Sequence, residues 1–212
     1  MSAAGAEQLD GEHTLDDGTH IRLRFIRPDD ADELRRGFER LSPASRYRRF
    51  LGGIGRLSDE NIRYLTNVDG YDHLAIVATR QRADGTEEGL GVARYVRVAG
   101  APNIAEAAIT VVDDAQHRGL GRLLGLTLAT AARQRGITHF RGEILANNDS
   151  VRQLLRDVGA ELHSTGDDGV SFDVSLDRGP PTNPAPEVVI RRFLKAAATW
   201  IGGLIGHPHA PG

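Results

Sequence analysis

The segment Gln-His-Arg-Gly-Leu-Gly-Arg at residues 116–122 has glycines two residues apart between polar side chains, a pattern that predicts a ligand-binding turn. It follows an apolar run and precedes a long amphipathic stretch, which predicts a turn between a strand and a helix. Gly119 and Gly121 let a ligand approach the backbone closely and permit φ values that other residues avoid. The free N–H groups at the start of a helix, together with the helix dipole, form an anion site suited to a phosphate or pyrophosphate. Arg118 and Arg122 could add charge-assisted hydrogen bonds to the same group.

Two common phosphate-binding motifs do not fit this turn. The dinucleotide fingerprint needs a third glycine where Leu124 stands, and Gly125 comes one residue too late. The P-loop needs a lysine, but the single lysine of the chain is Lys195. The spacing that does fit is Gln/Arg-x-x-Gly-x-Gly/Ala, in which Gln116 is the first residue.

Composition and charge narrow the classes of protein that remain. The 26 basic and 29 acidic residues give a net charge of −3, which argues against a nucleic-acid partner. The chain has no cysteine, which excludes disulfides, thiolate metal sites and a cysteine nucleophile. The histidines show no metal-ligand spacing, so no metal is expected. The N-terminus has no signal-peptide pattern and no apolar run is long enough to span a membrane, so we expect a cytoplasmic protein.

Strands and helices mix along the chain, which predicts an α+β or α/β fold with a central mixed sheet. The strand–turn–helix–strand unit over 105–145 predicts a parallel strand pair with a right-handed crossover. Helices are predicted to begin near Pro28, Pro43 and Ser58 and to span 119–136 and 149–158. Strands are predicted at 20–26, 73–79, 91–98, 105–112, 138–145 and 171–176.

The chain divides into a body and two tails. Residues 1–19 are small, polar and acidic and predict a mobile arm, whereas the body spans 20–177. The prolines of 178–186 predict a stiff linker. Residues 187–206 predict an amphipathic helix with a positively charged polar face, followed by a tail at 207–212. This helix could dock on the body or pair with a second chain, which we favour, or it could lie on a membrane surface.

The turn and the segments around it resemble the GNAT superfamily of N-acetyltransferases. Over roughly residues 20–177 the chain is similar to the bacterial Pat-type protein lysine acetyltransferases, through RPDDADELRRGFERLSPASRYRRFLG, GVARYVR, AEAAITVVDDAQHRGLGRLL and GEILANNDSVRQLLRDVGAEL. The resemblance implies the GNAT fold, with a mostly antiparallel sheet flanked by helices, and acetyl-CoA as cosubstrate without a metal. The implied acetyl-CoA contacts are the backbone of Val111 and Val112 for the pantetheine arm, the turn residues Gln116, His117, Arg118, Gly119, Leu120, Gly121 and Arg122, and Asn148.

Acetyl transfer to an amine needs a base, because a lysine with a pKa of about 10.4 is mostly charged at neutral pH. In the resembled branch a glutamate at the position of Glu106 takes this proton, often through water. Asp113, Asp114 and Glu143 are the other carboxylates considered for this role.

Three details of the site stay open. Asn148 matches the pantetheine contact better than Asn147, although an asparagine there could equally cap a helix. A backbone N–H of the strand at 105–112 could polarise the thioester carbonyl. The tyrosine that protonates the leaving thiolate in many GNAT enzymes has no counterpart in 151–159, so either Ser150 or water supplies that proton, or none is needed.

The sequence therefore predicts an enzyme that transfers an acetyl group from acetyl-CoA to a protein lysine, for example on acyl-CoA synthetases. A small-molecule amine is the alternative acceptor. A different class of protein also fits, namely a catalytically silent acyl-CoA-binding regulator that acts through protein contacts.

Overall fold

The computed structural model describes residues 10–43, 45–46, 55–116, 118–145, 160–165 and 169–176. These residues form one eight-stranded sheet in the order β1-β2-β3-β4-β5-β6-β8-β7. The strands are β1 (Gly11–Thr14), β2 (His20–Phe25), β3 (His73–Gln81), β4 (Glu87–Val98), β5 (Ala101–Val111), β6 (His139–Leu145), β7 (Glu161–Ser164) and β8 (Gly169–Ser175). The helices described are α1 (Ala31–Glu39), α2 (Asp59–Thr66) and α3 (Leu120–Gln134).

The predicted mixed, mostly antiparallel sheet is confirmed, and the parallel pair lies where the strand–turn–helix–strand unit predicts it. β5 and β6 pair only from Ile104↔His139 to Glu106↔Arg141. All the other neighbouring strands in the sheet are antiparallel. β5 runs on to Val111 and β6 to Leu145 without further pairing between them. A split therefore opens between the carboxyl ends of these two strands.

The alternation of side chains along β5 builds two different faces of the sheet. Ala105, Ala107 and Ile109 are buried in the main core, against Leu124 and Leu128 of α3. The intervening residues face α1 and α2, where Ala108 packs in a second apolar cluster that includes Phe38 and Ile62. Small residues on β5 allow a helix to pack closely on each face of this central strand.

Helix α1 is fixed to the sheet by buried charges at its start. Arg24 of β2 is only 5% exposed, and its guanidinium lies 2.6 Å from Asp30 and also pairs with Glu87. Asp30 in turn accepts a 2.7 Å hydrogen bond from the Arg27 N–H, which forms the short turn that leads into α1. Removing one partner of such a buried pair leaves an uncompensated charge and typically costs about 3–5 kcal/mol.

Part of the N-terminal arm belongs to the sheet, so the prediction of a mobile segment over 1–19 is wrong for these residues. Gly11–Thr14 pair antiparallel with β2, and Leu15 is 7% exposed in the main core. The turn that follows is closed by a hydrogen bond from the Leu15 N–H to the Thr19 carbonyl. The four residues of this edge strand include no large apolar side chain, so the sequence carries no strand pattern there.

Several predicted elements fall outside the described residues: most of the helix after Ser42, the helix over 149–158, and everything from 177 onward, including the C-terminal amphipathic helix. In the part of the chain that the structure covers, no helix is long and apolar enough to cross a membrane.

Candidate active site

The glycine turn has the geometry of an anion site. Gly119 has a φ of +83° and forms the N-cap of α3, a conformation that side-chain-bearing residues adopt at a cost. The first intrahelical hydrogen bond of α3 runs from the Leu123 N–H to the Gly119 carbonyl. The N–H groups of Leu120, Gly121 and Arg122 precede that bond, so they are the donors that a helix N-terminus presents to a phosphate.

The turn is held in shape by side chains that the sequence reasoning treated as ligand or base candidates. The Gln116 amide donates to the Val111 carbonyl and to Asp113 Oδ1, both at 3.1 Å. Asp113 Oδ2 accepts from the Ser42 N–H at 3.0 Å, and Asp114 pairs with Arg40, the residue just after α1, at 2.7 Å. Asp113 and Asp114 therefore position the turn, and the described hydrogen bonds of the Gln116 amide stay within it.

The backbone of β5 shows where the two residues predicted to contact pantetheine direct their hydrogen-bonding groups. The Val112 N–H donates to the Leu90 carbonyl, and the Val112 carbonyl accepts from the Ala115 N–H. Because an antiparallel strand alternates the direction of its backbone groups, Val111 and Ile109 direct theirs away from β4, where the Val111 carbonyl accepts from Gln116 and the groups of Ile109 face the split. Val112 thus has its backbone groups bonded within the protein, whereas Ile109, which the sequence reasoning did not consider, directs its own toward the split.

A cavity of about 240 Å³ adjoins the glycine turn, between α3 and the residues that follow β1. Arg118 forms a 2.9 Å ion pair with Asp17 on this side. A methyl group added at Gly119 would lie 2.9 Å from Asp16 Oδ2. Two acidic side chains therefore lie against the predicted phosphate site. His117 and Asn148, which complete the predicted contacts, lie outside the described residues.

Glu106 lies where the split begins, on the face of the sheet that α1 and α2 cover. It is the last residue of β5 in register with β6, opposite Arg141. Directly paired residues point to the same face, so Glu106 belongs to a row that crosses the sheet. The members of the row are His73, Val96, Glu106, Arg141, Asp173 and Glu161.

The surroundings of Glu106 make its carboxylate more basic than an exposed one. Burial raises the pKa of Glu106 above its ordinary value, the nearby charge of Glu143 raises this pKa further, and Arg141 opposes both. Glu143 is exposed and follows Arg141 by two residues on β6, so it lies on the same face. A half-buried carboxylate with a raised pKa at the mouth of the split can accept a proton from an approaching amine.

Tyr64, His73 and Arg94 form a cluster on the same face of the sheet as Glu106, and the sequence reasoning did not select them. The rings of Tyr64 and His73 lie 4.9 Å apart, and Arg94 Nη1 is 3.0 Å from His73 Nε2. Burial, followed by the charge of Arg94, lowers the pKa of His73 to about 4, so this imidazole is neutral at physiological pH. Burial also raises the pKa of Tyr64, which feels the charges of Arg94 and Glu106. The register of the sheet brings His73 and Arg94 to this face, and α2 places Tyr64 next to them. The spacing of these residues along the chain does not predict that they meet.

Comparison with known proteins relates this arrangement to bacterial acetyltransferases. The chain is 33% identical over 154 residues to an acetyltransferase of Pseudomonas aeruginosa, over 71% of this chain and 82% of that protein. It is 32% identical over 143 residues to acetyltransferase Pat of Mycolicibacterium smegmatis, over 68% of this chain and 42% of Pat. The chain therefore spans less than half the length of Pat. No family model matches it.

Solved structures with a similar fold are also acetyltransferases or acyltransferases. The GNAT domain of S. lividans PAT superimposes with a TM-score of 0.68 at 28% identity, over 82% of this chain and 99% of that domain. A cAMP-binding acyltransferase from Mycobacterium smegmatis gives a TM-score of 0.52 at 25% identity, over 92% of this chain and 59% of that one. Fold and site together define an acetyl-CoA-dependent acetyltransferase. The chain belongs to the GNAT family of acetyltransferases and resembles its Pat branch.

Proposed function

We propose that this protein transfers the acetyl group of acetyl-CoA to the side-chain amine of a protein lysine, with Glu106 as the general base. The observation that carries the proposal is the position of Glu106: a half-buried carboxylate of raised pKa at the point where β5 and β6 separate. The resemblance to the Pat branch supports a protein lysine as the acceptor.

In this proposal the glycine turn binds the pyrophosphate of the cosubstrate through the first N–H groups of α3. The backbone groups of Ile109 and the N–H of Val111 face the split, where they can hydrogen-bond the pantetheine arm as a neighbouring strand would. A backbone N–H there can also stabilise the negative charge that develops on the thioester oxygen. His117 and Asn148 stay predicted contacts of the same ligand.

The chemical step is a direct attack by the acceptor amine. Glu106 takes a proton from the ammonium, directly or through one water, and the neutral nitrogen forms a bond to the acetyl carbon. The carbon–sulfur bond breaks and the sulfur leaves as a thiolate. The second proton of the attacking nitrogen passes to the thiolate through water, which gives the neutral amide and free CoA. Proton removal of this kind typically contributes about 10²–10⁴ in rate.

The exposed side of the polar row is suited to a lysine on a protein surface. Tyr64 is 41% exposed beside Glu106, and the exposed Glu143 lies on the same face of the sheet, whereas Asp173 pairs with Arg141 at 3.5 Å. Carboxylates on an open face attract an ammonium group before its proton is removed. A small-molecule amine is the alternative acceptor, and a silent acyl-CoA-binding regulator is the non-enzymatic alternative.

The test is the release of free CoA from acetyl-CoA in the presence of a panel of acyl-CoA synthetases and, separately, of small amines. Mass spectrometry then locates any acetylated lysine. We expect release that depends on a protein acceptor and disappears in Glu106→Gln, with full activity in Glu161→Gln, the exposed glutamate at the far end of the same row. Release with amines alone would favour the small-molecule alternative. Acetyl-CoA binding without turnover on any acceptor would favour the regulator.

A further inference from the structure

A second cavity lies on the α1 face of the sheet, away from the glycine turn. It has a volume of about 70 Å³, lies between α1, α2 and strands β3 to β5, and is partly open to solvent. Most of its lining is apolar and includes Leu34, Phe38, Leu65, Val77 and Val92. Arg94 and Thr110 also line it, and each has a buried polar atom that makes no hydrogen bond within the described residues, Nε of Arg94 and Oγ1 of Thr110.

Arg94 is a buried cation without an anionic partner in the part of the chain that the structure covers. It is 3% exposed, and its two terminal nitrogens bond neutral groups, the His73 ring and the Leu65 carbonyl at 3.1 Å. Among the described residues, no Asp or Glu forms an ion pair with it. Burial lowers the pKa of Arg94 to about 10, so the guanidinium is still charged at neutral pH. Buried charges in proteins are normally paired, because an unpaired one costs several kcal/mol.

Thr110 places a second donor next to this guanidinium. Arg94 pairs with Ala108 and Val92 pairs with Thr110, so Arg94 and Thr110 are diagonal neighbours on adjacent strands and share the α1 face. The acidic residues at the rim of the cavity are already neutralised. Asp30 pairs with Arg24, and Glu33 pairs with Arg82 and accepts from the Gly89 N–H. The charge that the cavity lacks is therefore negative, and its place is beside Arg94.

We propose that this cavity binds the carboxylate of a short aliphatic acid. Arg94 Nε–H and the Thr110 hydroxyl donate to the carboxylate, and the apolar lining covers the alkyl chain. At about 30 Å³ per water, the cavity has room for roughly two waters, which matches an acid of about two or three carbons. The acid can be free, or it can be the far end of a dicarboxylic acyl group carried on CoA.

The test measures ligand binding to the full chain and does not depend on acetyl transfer. The thermal unfolding midpoint is measured at increasing concentrations of propionate and, separately, of its neutral isostere propionamide, at constant ionic strength. The variant Thr110→Val removes the hydroxyl without changing the shape of the side chain. The control Thr127→Val removes a hydroxyl on α3 that bonds only the Leu123 carbonyl, on the opposite face of the sheet.

We expect saturable stabilisation by propionate, binding of propionamide that is weaker by roughly tenfold or more, and a similar loss of propionate affinity in Thr110→Val alone. Equal effects of the acid and the amide, or unchanged propionate affinity in Thr110→Val, would overturn the proposal. A comparison of succinyl-CoA with butyryl-CoA identifies the source of the carboxylate. Tighter binding of succinyl-CoA, with competition by propionate, indicates the CoA-linked acid, and simultaneous binding of propionate and acetyl-CoA indicates the free one.

Discussion

Asp17 Oδ2 lies 2.9 Å from Arg118 Nη1, which joins the turn after β1 to the glycine turn across 101 residues of sequence. The same carboxylate accepts a hydrogen bond from the Thr19 N–H at 3.0 Å, and this bond chiefly lowers the pKa of Asp17. Arg118 therefore already has an anionic partner at the turn where we predict that the pyrophosphate of acetyl-CoA binds. An incoming phosphate must share or displace that partner.

Replacing Asp17 with asparagine should strengthen the binding of acetyl-CoA. The amide keeps an acceptor for the Thr19 N–H but removes the charge that competes for Arg118 and repels the phosphates. Because exposed ion pairs are weak, we expect the Kd to fall by only about two- to fivefold at low salt, and by less at high salt. Titration calorimetry at two ionic strengths measures this. Asp10→Asn, which breaks a different exposed pair with Arg22, should leave the Kd unchanged. Equal affinities of both variants would contradict the competition.

Gly119→Ala should weaken acetyl-CoA binding by more than its cost in stability explains. Gly119 and Gly136 both have positive φ values, so alanine at either position should destabilise the fold by about 1–2 kcal/mol. Gly136 has open space around it, whereas a methyl group at Gly119 would meet Asp16 at the anion site. We expect binding to be lost in Gly119→Ala and kept in Gly136→Ala, measured with denaturant unfolding alongside calorimetry. Equal binding by the two variants would place the ligand away from this turn.

The charges of Arg141 and Glu143 on β6 should determine the pH of the acidic limb of the kcat/KM profile. Glu106 must be ionised to accept a proton, so a raised pKa moves the acidic limb of the kcat/KM profile to higher pH. Glu143→Gln removes a charge that raises this pKa, and the limb should move to lower pH. Arg141→Gln removes a charge that lowers it, and the limb should move to higher pH. Shifts in the same direction for both variants would show that another group controls the limb.

The ionised Glu106 carboxylate should lower the free energy of unfolding at neutral pH. Burial raises the pKa of its carboxyl in the folded state, so the ionised form favours the unfolded chain. We expect Glu106→Gln to raise the free energy of unfolding at pH 7. The gain should shrink as the pH falls through the raised pKa and vanish below the ordinary carboxyl value of about 4.3. Denaturant titrations across this range check the trend. A variant that is less stable than the wild type at pH 7 would contradict it.

Local signals predicted the centre of the fold well. The strand expected at 105–112 is observed at Ala101–Val111, and the helix expected at 119–136 is observed at Leu120–Gln134. Apolar periodicity and the flanking glycines determine both elements, and both signals lie within the segment itself. The parallel pairing of β5 and β6 followed from the crossover between them.

The features that were missed depend on partners far away in the sequence. Whether Ile109 or Val112 faces the split is decided by the hydrogen-bond phase of β5 against β4, which a single strand does not encode. The row through His73 and Glu106 exists only because three strands are aligned in register. β1 and β7 are four-residue strands that are stabilised by their neighbours, so their own side chains give little pattern.

The central claim is that Glu106 removes the proton of the acceptor amine. The direct measurement is the turnover of Glu106→Gln with its best acceptor under saturating acetyl-CoA, together with the acetyl-CoA Kd of the same variant. The account predicts turnover reduced by at least about 10²-fold and a Kd that stays close to the wild-type value. Turnover within a fewfold of the wild type, with the same Kd, would show that another group does this work.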